Sequence, residues 1–104
     1  MAIFKDSAGK ATQHVYGVMS QDGKILSGEG FRAHRIWSGT YIIEFDQPFA
    51  GTPAVVCTIY GNEWQTFDKS IAIVELDSRY FVPVTSSMDR PEDCAFTFVA
   101  FGHI

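Results

Sequence analysis

The sequence has little that indicates a helix or a membrane segment. No stretch repeats apolar residues with the 3.6-residue period of an amphipathic helix, and two-residue alternation dominates instead. No run approaches the roughly 20 apolar residues of a membrane-spanning helix, and residues 1–10 contain no apolar run of signal-peptide length. We therefore expect no membrane partner and synthesis in the cytoplasm, with delivery inside a virion or phage-like particle left open.

Basic residues are also scarce. The chain has 8 Lys and Arg against 12 Asp and Glu, which gives a net charge of −4. The nearest approach to a basic cluster is the set Arg32, His34 and Arg35. Because a nucleic-acid-binding surface needs a positive field to neutralise phosphates, the charge argues against a nucleic-acid partner.

Metal and cofactor motifs are missing. Cys57 and Cys94 form no C-x-x-C pair, and His14, His34 and His103 lie on separate segments without ligand spacing. We expect no metal and no cofactor. Each cysteine lies in or beside an apolar segment, which predicts inert buried thiols, although a disulfide stays open if their strands are neighbours.

Enzyme motifs are missing too. The chain has no G-x-S-x-G nucleophile elbow. Glu44 and Asp46 point the same way on one predicted strand, as a pair of hydrolytic carboxylates would, but any solvated strand face shows such a pair. We predict that the protein is not an enzyme.

What the sequence does contain is a set of short alternating segments with turn residues between them, and 9 Phe in 104 residues. This length indicates one domain, with residues 1–10 as a flexible N-terminal arm and 11–104 as the folded part. The predicted strands cover residues 13–19, 24–26, 31–37, 40–46, 54–60, 70–76, 80–85 and 94–101. The prediction is an all-β fold, a single antiparallel β-sandwich of about seven or eight strands, with a small barrel as the alternative.

Two of these segments, 54–60 and 94–101, are apolar on both faces. In the second, Phe96 and Phe98 share one face while Val99 and Phe101 share the other. One sandwich buries only the inner face of each sheet, so another surface should cover the outer one. We therefore predict a homo-oligomer built around these strands.

The run GTYIIEFDQPFAGTPAVVCTIYG at 39–61 and the closing AFTFVAFG at 95–102 resemble H-type lectins and related bacterial and phage tail-fibre-type modules of unassigned function. The resemblance spans most of residues 15–102. It implies a β-sandwich forming trimers or hexamers that binds galactose or N-acetylgalactosamine near subunit interfaces. The family's binding loop before the last strand carries aromatic and amide side chains. The matching loop here, 86–93, has none but offers Asp89 and Arg90.

The longest polar connection, residues 61–69, supplies a second candidate site. Trp64 lies there among polar side chains that suit the hydroxyls of a sugar, while its ring suits the apolar face. Those side chains are Asn62, Glu63, Gln65 and Asp68. Alternatively, Trp64 and Phe67 pin the connection onto the core, and Trp37 covers a sheet edge.

Together these observations give one functional hypothesis and one alternative. The hypothesis is a non-enzymatic, self-associating binding module that recognises a carbohydrate or receptor through its loops. The predicted ligand-binding residues are Asn62, Trp64, Asp68, Asp89 and Arg90. The alternative is a purely structural or assembly domain of a phage-like or multi-subunit particle with no small-molecule ligand.

Overall fold

The computed structural model describes the backbone of residues 1–104 and every side chain except those of Glu63 and Gln65. The described chain forms ten strands in two antiparallel sheets, each of five strands, which pack together as a β-sandwich. The predicted fold class is therefore confirmed, with more strands than expected. One short helix interrupts the strands, and no helix in the described chain has the length and apolarity to span a membrane.

The first sheet has the strand order β1-β2-β10-β6, and β3 pairs with β2 beyond the end of β1. Its strands are β1 (Ala2–Lys5), β2 (Ala11–Met19), β3 (Ile25–Gly28), β6 (Ala54–Ile59) and β10 (Phe96–His103). The central pair is long, because β10 pairs with β2 from Phe96↔Met19 to His103↔Thr12. The two doubly apolar segments, β6 and β10, are neighbours in this sheet.

The second sheet has the strand order β4-β5-β8-β7, and β9 pairs with β8. Its strands are β4 (Phe31–Trp37), β5 (Thr40–Phe45), β7 (Lys69–Leu76), β8 (Tyr80–Ser87) and β9 (Arg90–Pro91). The helix α1 (Glu63–Thr66) lies in the connection from β6 to β7, the edge strands of the two sheets.

The core lies between the sheets and follows the predicted alternation. In β5, Tyr41, Ile43 and Phe45 are buried, and in β10, Phe96 and Phe98 are buried. The aromatic rings of the core meet edge to face or tilted, within the second sheet and across to the first, at centroid separations of 5.0 to 5.8 Å, the arrangement that aromatic pairs prefer. These core pairs are Phe31–Phe98, Tyr41–Phe96, Phe45–Phe49, Phe45–Phe81 and Phe81–Phe98.

Three regions differ from the sequence predictions. Residues 1–10, predicted as a flexible arm, include β1, whose backbone pairs with β2 although its side chains are exposed. The predicted loop 86–93 contains the end of β8 and all of β9. The predicted alternation of β4 breaks at a bulge between Arg35 and Trp37, so Trp37 does not share the buried face of Phe31.

Candidate functional site

Four connections converge at one end of the sandwich, which we call the loop end. They are the turn 20–24 after β2, the turn 38–39 after β4, the connection 60–68 after β6, and the segment 88–95 between β8 and β10. The antiparallel pairing brings them together, because Met19 lies opposite Phe96 in one sheet and Lys69 lies opposite Ser87 in the other. Residues far apart in the sequence therefore meet here.

A cleft of about 280 Å³ opens at the loop end between the two sheets. Its lining combines two aromatic side chains with an amide, an amine and two carboxylates. The lining residues are Gln21, Ile59, Tyr60, Trp64, Lys69, Glu92, Asp93, Cys94 and Ala95. The volume is close to the lower end of the range typical of small-molecule sites.

Trp64 lies on α1 and is 80% exposed, although it is one of the largest apolar side chains in the chain. The hydroxyl of Thr66 donates to the backbone oxygen of Asn62 at 3.1 Å, which links the start and end of this short turn. The exposure argues against the alternative in which Trp64 pins the connection onto the core. Phe67 is 78% exposed as well, and it does not line the cleft.

Lys69 is the electrostatic centre of the cleft floor. Its ammonium group donates to Glu92 Oε2 at 2.8 Å, to Ser87 Oγ at 3.0 Å and to Asp68 Oδ1 at 3.1 Å. The hydrogen bond with Glu92, followed by that with Asp68, raises the pKa of Lys69. The bond from Lys69, followed by one with Ser87, lowers the pKa of Glu92. Both groups are therefore charged at neutral pH.

Asp93 joins three segments of the loop end. One of its oxygens accepts the backbone N–H of Gly39 at 2.7 Å, and both accept from Arg35 Nε at 2.9 and 3.0 Å. Burial raises the pKa of Asp93, but the hydrogen bonds from Arg35 and Gly39 outweigh it, so the pKa lies below its usual value. Asp93 is thus an ionised structural anchor as well as part of the cleft wall.

Gly39 is required at this junction by its backbone. Its φ of 65° is in the left-handed region, and a Cβ there would run into the backbone oxygen of Thr85 and the backbone nitrogen of Glu92. The hydroxyl of Thr85 in turn donates to the backbone oxygen of Glu92 at 2.6 Å. These close backbone contacts hold the 38–39 turn against the segment that carries Glu92 and Asp93.

A second cleft of about 490 Å³ adjoins the first, because both are lined by Gln21, Glu92 and Asp93. Its remaining lining residues are Ser38, Ser87, Arg90 and Pro91. It is bounded by the β8–β9 hairpin, at whose tip Met88 is 86% exposed with a φ of 53°.

The structure brings together some of the predicted ligand-binding residues. Trp64 lines the first cleft and Arg90 the second. Asp68 is exposed beside the cleft floor and bonded to Lys69. Asn62 and Asp89 are exposed in the same two connections but line neither cleft. The side chains of Glu63 and Gln65, which we considered beside Trp64, lie outside the described residues.

The sequence did not single out Gln21, Tyr60, Lys69, Glu92 and Asp93, which complete the site. None belongs to a motif, because they come from four separate places in the chain, with only Glu92 and Asp93 adjacent. The direction of the strands could have grouped these residues, because successive antiparallel strands alternate in direction and every second connection therefore lies at the same end of the sheet. Which strands are neighbours within each sheet is set by long-range pairing, and side-chain alternation does not encode that pairing.

Other candidate chemistry finds less support in the geometry. Glu44 lies 3.8 Å from His34 on the outer face of the second sheet, and neither Glu44 nor Asp46 lines the two clefts. Cys57 and Cys94 are free thiols; burial raises the pKa of Cys57 to about 12 and also raises that of Cys94. Among the described side chains, no three of His, Cys, Asp or Glu are grouped so as to hold a metal ion.

Comparison with known proteins adds no relative: no family model matches the chain, and no curated protein or solved structure matches it either.

Proposed function

We propose that the protein is a non-enzymatic binding module that recognises a carbohydrate through the clefts of its loop end, in the manner its resemblance to H-type lectins implies. The observation that supports this proposal most strongly is the 80% exposed indole of Trp64 beside a cleft lined by charged and amide groups. Leaving such a large apolar ring in water costs free energy that a stacked ligand would recover.

A sugar fits the chemistry of this lining. One face of a pyranose ring is apolar and stacks on an aromatic side chain, while its hydroxyls both donate and accept hydrogen bonds. Glu92 and Asp93 are acceptors, and Gln21 offers a side-chain amide that both donates and accepts, whereas the three N–H donors of Lys69 are already used by Glu92, Ser87 and Asp68. The floor is already arranged by ion pairs, so few side chains need to be ordered when a ligand binds.

The ionisation of the cleft favours binding over catalysis. A general acid for glycoside cleavage needs a carboxyl group whose pKa is raised. Glu92 and Asp93 instead have lowered pKa values, because each accepts hydrogen bonds from a cation. We therefore propose that the ligand is bound and released without chemical change.

The test is to screen the purified protein on a glycan array and to measure the affinity of any bound sugar by calorimetry for wild type and two variants. Trp64→Ala should weaken binding by at least about fivefold, since loss of one aromatic stacking contact costs about 1 kcal/mol or more. Phe67→Ala is the matched control, because Phe67 is equally exposed in the same connection but lies outside the cleft. It should bind as wild type does.

No bound glycan on the array, or equal affinities for wild type and Trp64→Ala, would contradict the proposal. Either result would favour the second candidate function, a structural or assembly domain of a phage-like or multi-subunit particle. A separate observation supports that candidate: the outer face of the first sheet exposes apolar side chains on its central strands. The assembly-domain function predicts a stable oligomer that binds no small-molecule ligand.

A further inference from the structure

The outer face of the first sheet is apolar across three neighbouring strands. Tyr16 on β2, Val99 on β10 and Val56 on β6 lie directly opposite one another, and all three are exposed. Above and below this row lie further outward residues of the same strands. The complete set, called the outer face below, is Thr12, His14, Tyr16, Val18, Ala54, Val56, Thr58, Thr97, Val99, Phe101 and His103.

The outer face includes no Asp, Glu, Lys or Arg. The edge strand β1 adds an aromatic ring to this uncharged surface. The ring centroid of Phe4 lies 4.8 Å from that of His14, and the His14 centroid lies 5.9 Å from that of Phe101. In a chain with 20 formally charged residues, 8 basic and 12 acidic, a sheet face free of them is unusual for a surface that meets water.

The second sheet differs in carrying charged side chains on its outer face, although Trp37 and Val74 are exposed on the same sheet. On the second sheet, Arg32 lies opposite Glu44 on the neighbouring strand, and Glu44 lies 3.8 Å from His34. Tyr80 donates to Glu75 at 3.0 Å on the same sheet. Both sheets contribute large buried side chains to the core, so burial inside one chain does not explain why the outer face of the first sheet has no charged side chain.

The absence of charge limits what can cover the outer face. A charged partner would lose hydration there without gaining an ion pair, which is unfavourable. Two copies of this chain each carry a net charge of −4 and repel one another over most of their surfaces. At the outer face they meet without bringing like charges together, and two such faces can interdigitate as the inner faces of a sandwich do, about 10 Å apart.

The size of the outer face suits a second copy. The outer face is about 20 Å long along the strands, from Thr12 to Val18. Its three strands and the paired edge strand β1 are together about 19 Å wide. The projected area is therefore about 400 Å², before the relief of the side chains is added. A minimal specific interface buries about 500 Å² on each partner, so one copy laid over this face reaches the required order of size.

We propose that the outer face of the first sheet is the interface between two copies of this chain. The proposal does not depend on ligand binding, because the clefts lie at the strand ends and Trp64 is not part of the outer face. It assigns the predicted self-association to particular residues, and because a face-to-face contact joins chains in pairs, it fits a dimer or a hexamer built from dimers rather than a trimer.

The test is light scattering coupled to gel filtration, together with sedimentation equilibrium, on wild type and three lysine variants. Val56→Lys and Val99→Lys place a charge in the outer face and should weaken self-association by about 100-fold or more, because the charge is buried without a partner. Val74→Lys is the matched control: Val74 is 60% exposed and Val56 is 62% exposed, and both lie on edge strands, but of different sheets. The control should associate as wild type does.

Circular dichroism establishes that each variant is folded before its mass is compared. A wild type that stays monomeric at about 200 µM overturns the proposal and assigns the outer face to a different partner. An oligomer that Val56→Lys and Val99→Lys leave intact overturns it as well, because the contact then lies elsewhere. Sugar binding should be unaffected by all three variants, so a failure of glycan binding and a failure of self-association are separate results.

Discussion

At the scale of single residues, the loop end depends on a few side chains that connect segments far apart in the sequence. Asp93 is the clearest case, since it contacts Arg35 on β4 and Gly39 in the turn that follows. The sequence around it, a charged stretch after Pro91, is typical of a solvated loop and gives no sign of these partners. Partners of this kind could not be predicted, because they depend on which strands are neighbours.

Replacing Asp93 with Asn should destabilise the protein by about 1 to 2 kcal/mol at pH 7, because hydrogen bonds to an ionised group are lost or weakened. The pKa of Asp93 is lowered in the folded state, so its stabilising effect is present above the unfolded pKa of about 3.9. The effect disappears as the pH falls through the folded pKa. Urea unfolding of both proteins from pH 7 down to about pH 2 measures it, and the difference between the two stabilities should shrink as the pH falls below the unfolded pKa.

Asp89→Asn is the control for this change, because Asp89 is an exposed carboxylate of the neighbouring hairpin tip. Its stability should stay within about 0.5 kcal/mol of wild type. If Asp93→Asn were equally neutral at pH 7, the role of Asp93 as an anchor would be wrong.

At the scale of elements, side-chain alternation predicted the strands that bury one face. Residues 40–46 and 94–101 were predicted nearly as the structure has them, because their buried aromatic and aliphatic residues recur at every second position. Strand β1 was missed, since all its side chains are exposed and only its backbone pairing defines it. The bulge before Trp37 was missed for the same reason: it is a property of the pairing with β5.

Gly17 shows how one element constrains another. It lies on the buried side of β2, and a Cβ there would approach Phe31 Cζ and Phe98 Cε1 to 2.5 Å each. Gly17→Ala should therefore destabilise the protein by about 1 to 3 kcal/mol, since both rings are packed in the core and must shift. The measurement is the change in the urea midpoint at constant slope.

Gly51→Ala is the matched control, because no atom outside the neighbouring residues lies within 4 Å of a Cβ at that position. It should be neutral or slightly stabilising, since alanine restricts the unfolded chain. Equal stabilities for the two alanine variants would show that β2 does not approach the aromatic core as closely as the structure has it.

At the scale of the whole molecule, the chain separates its two candidate surfaces. The clefts lie at the strand ends, while the outer face lies across the middle of the first sheet. A dimer formed through the outer face would therefore leave the clefts of each chain open and carry two loop ends, which raises the avidity for a repeated ligand. The sequence predicted that β6 and β10 need covering, but not that they are neighbours and present one continuous face.

If two copies associate before they unfold, the thermal midpoint must depend on protein concentration. Well above the dissociation constant, a tenfold rise in concentration stabilises each dimer by about 1.4 kcal/mol, or about 0.7 kcal/mol per chain. For a chain of this length, that corresponds to a shift of about 3 °C. Scanning calorimetry at about 20 and 200 µM, under conditions where unfolding is reversible, measures it.

The lysine variants of the outer face make this measurement specific. Val56→Lys should reduce the concentration dependence, because a larger fraction of its chains is monomeric and a monomer unfolds at the same temperature at every concentration. Val74→Lys should retain it, since that side chain belongs to the other sheet. If the wild-type thermal midpoint does not change with protein concentration, no second copy is bound at the outer face when the chain unfolds. The exposed apolar side chains of β6 and β10 would then be covered by a partner other than this chain.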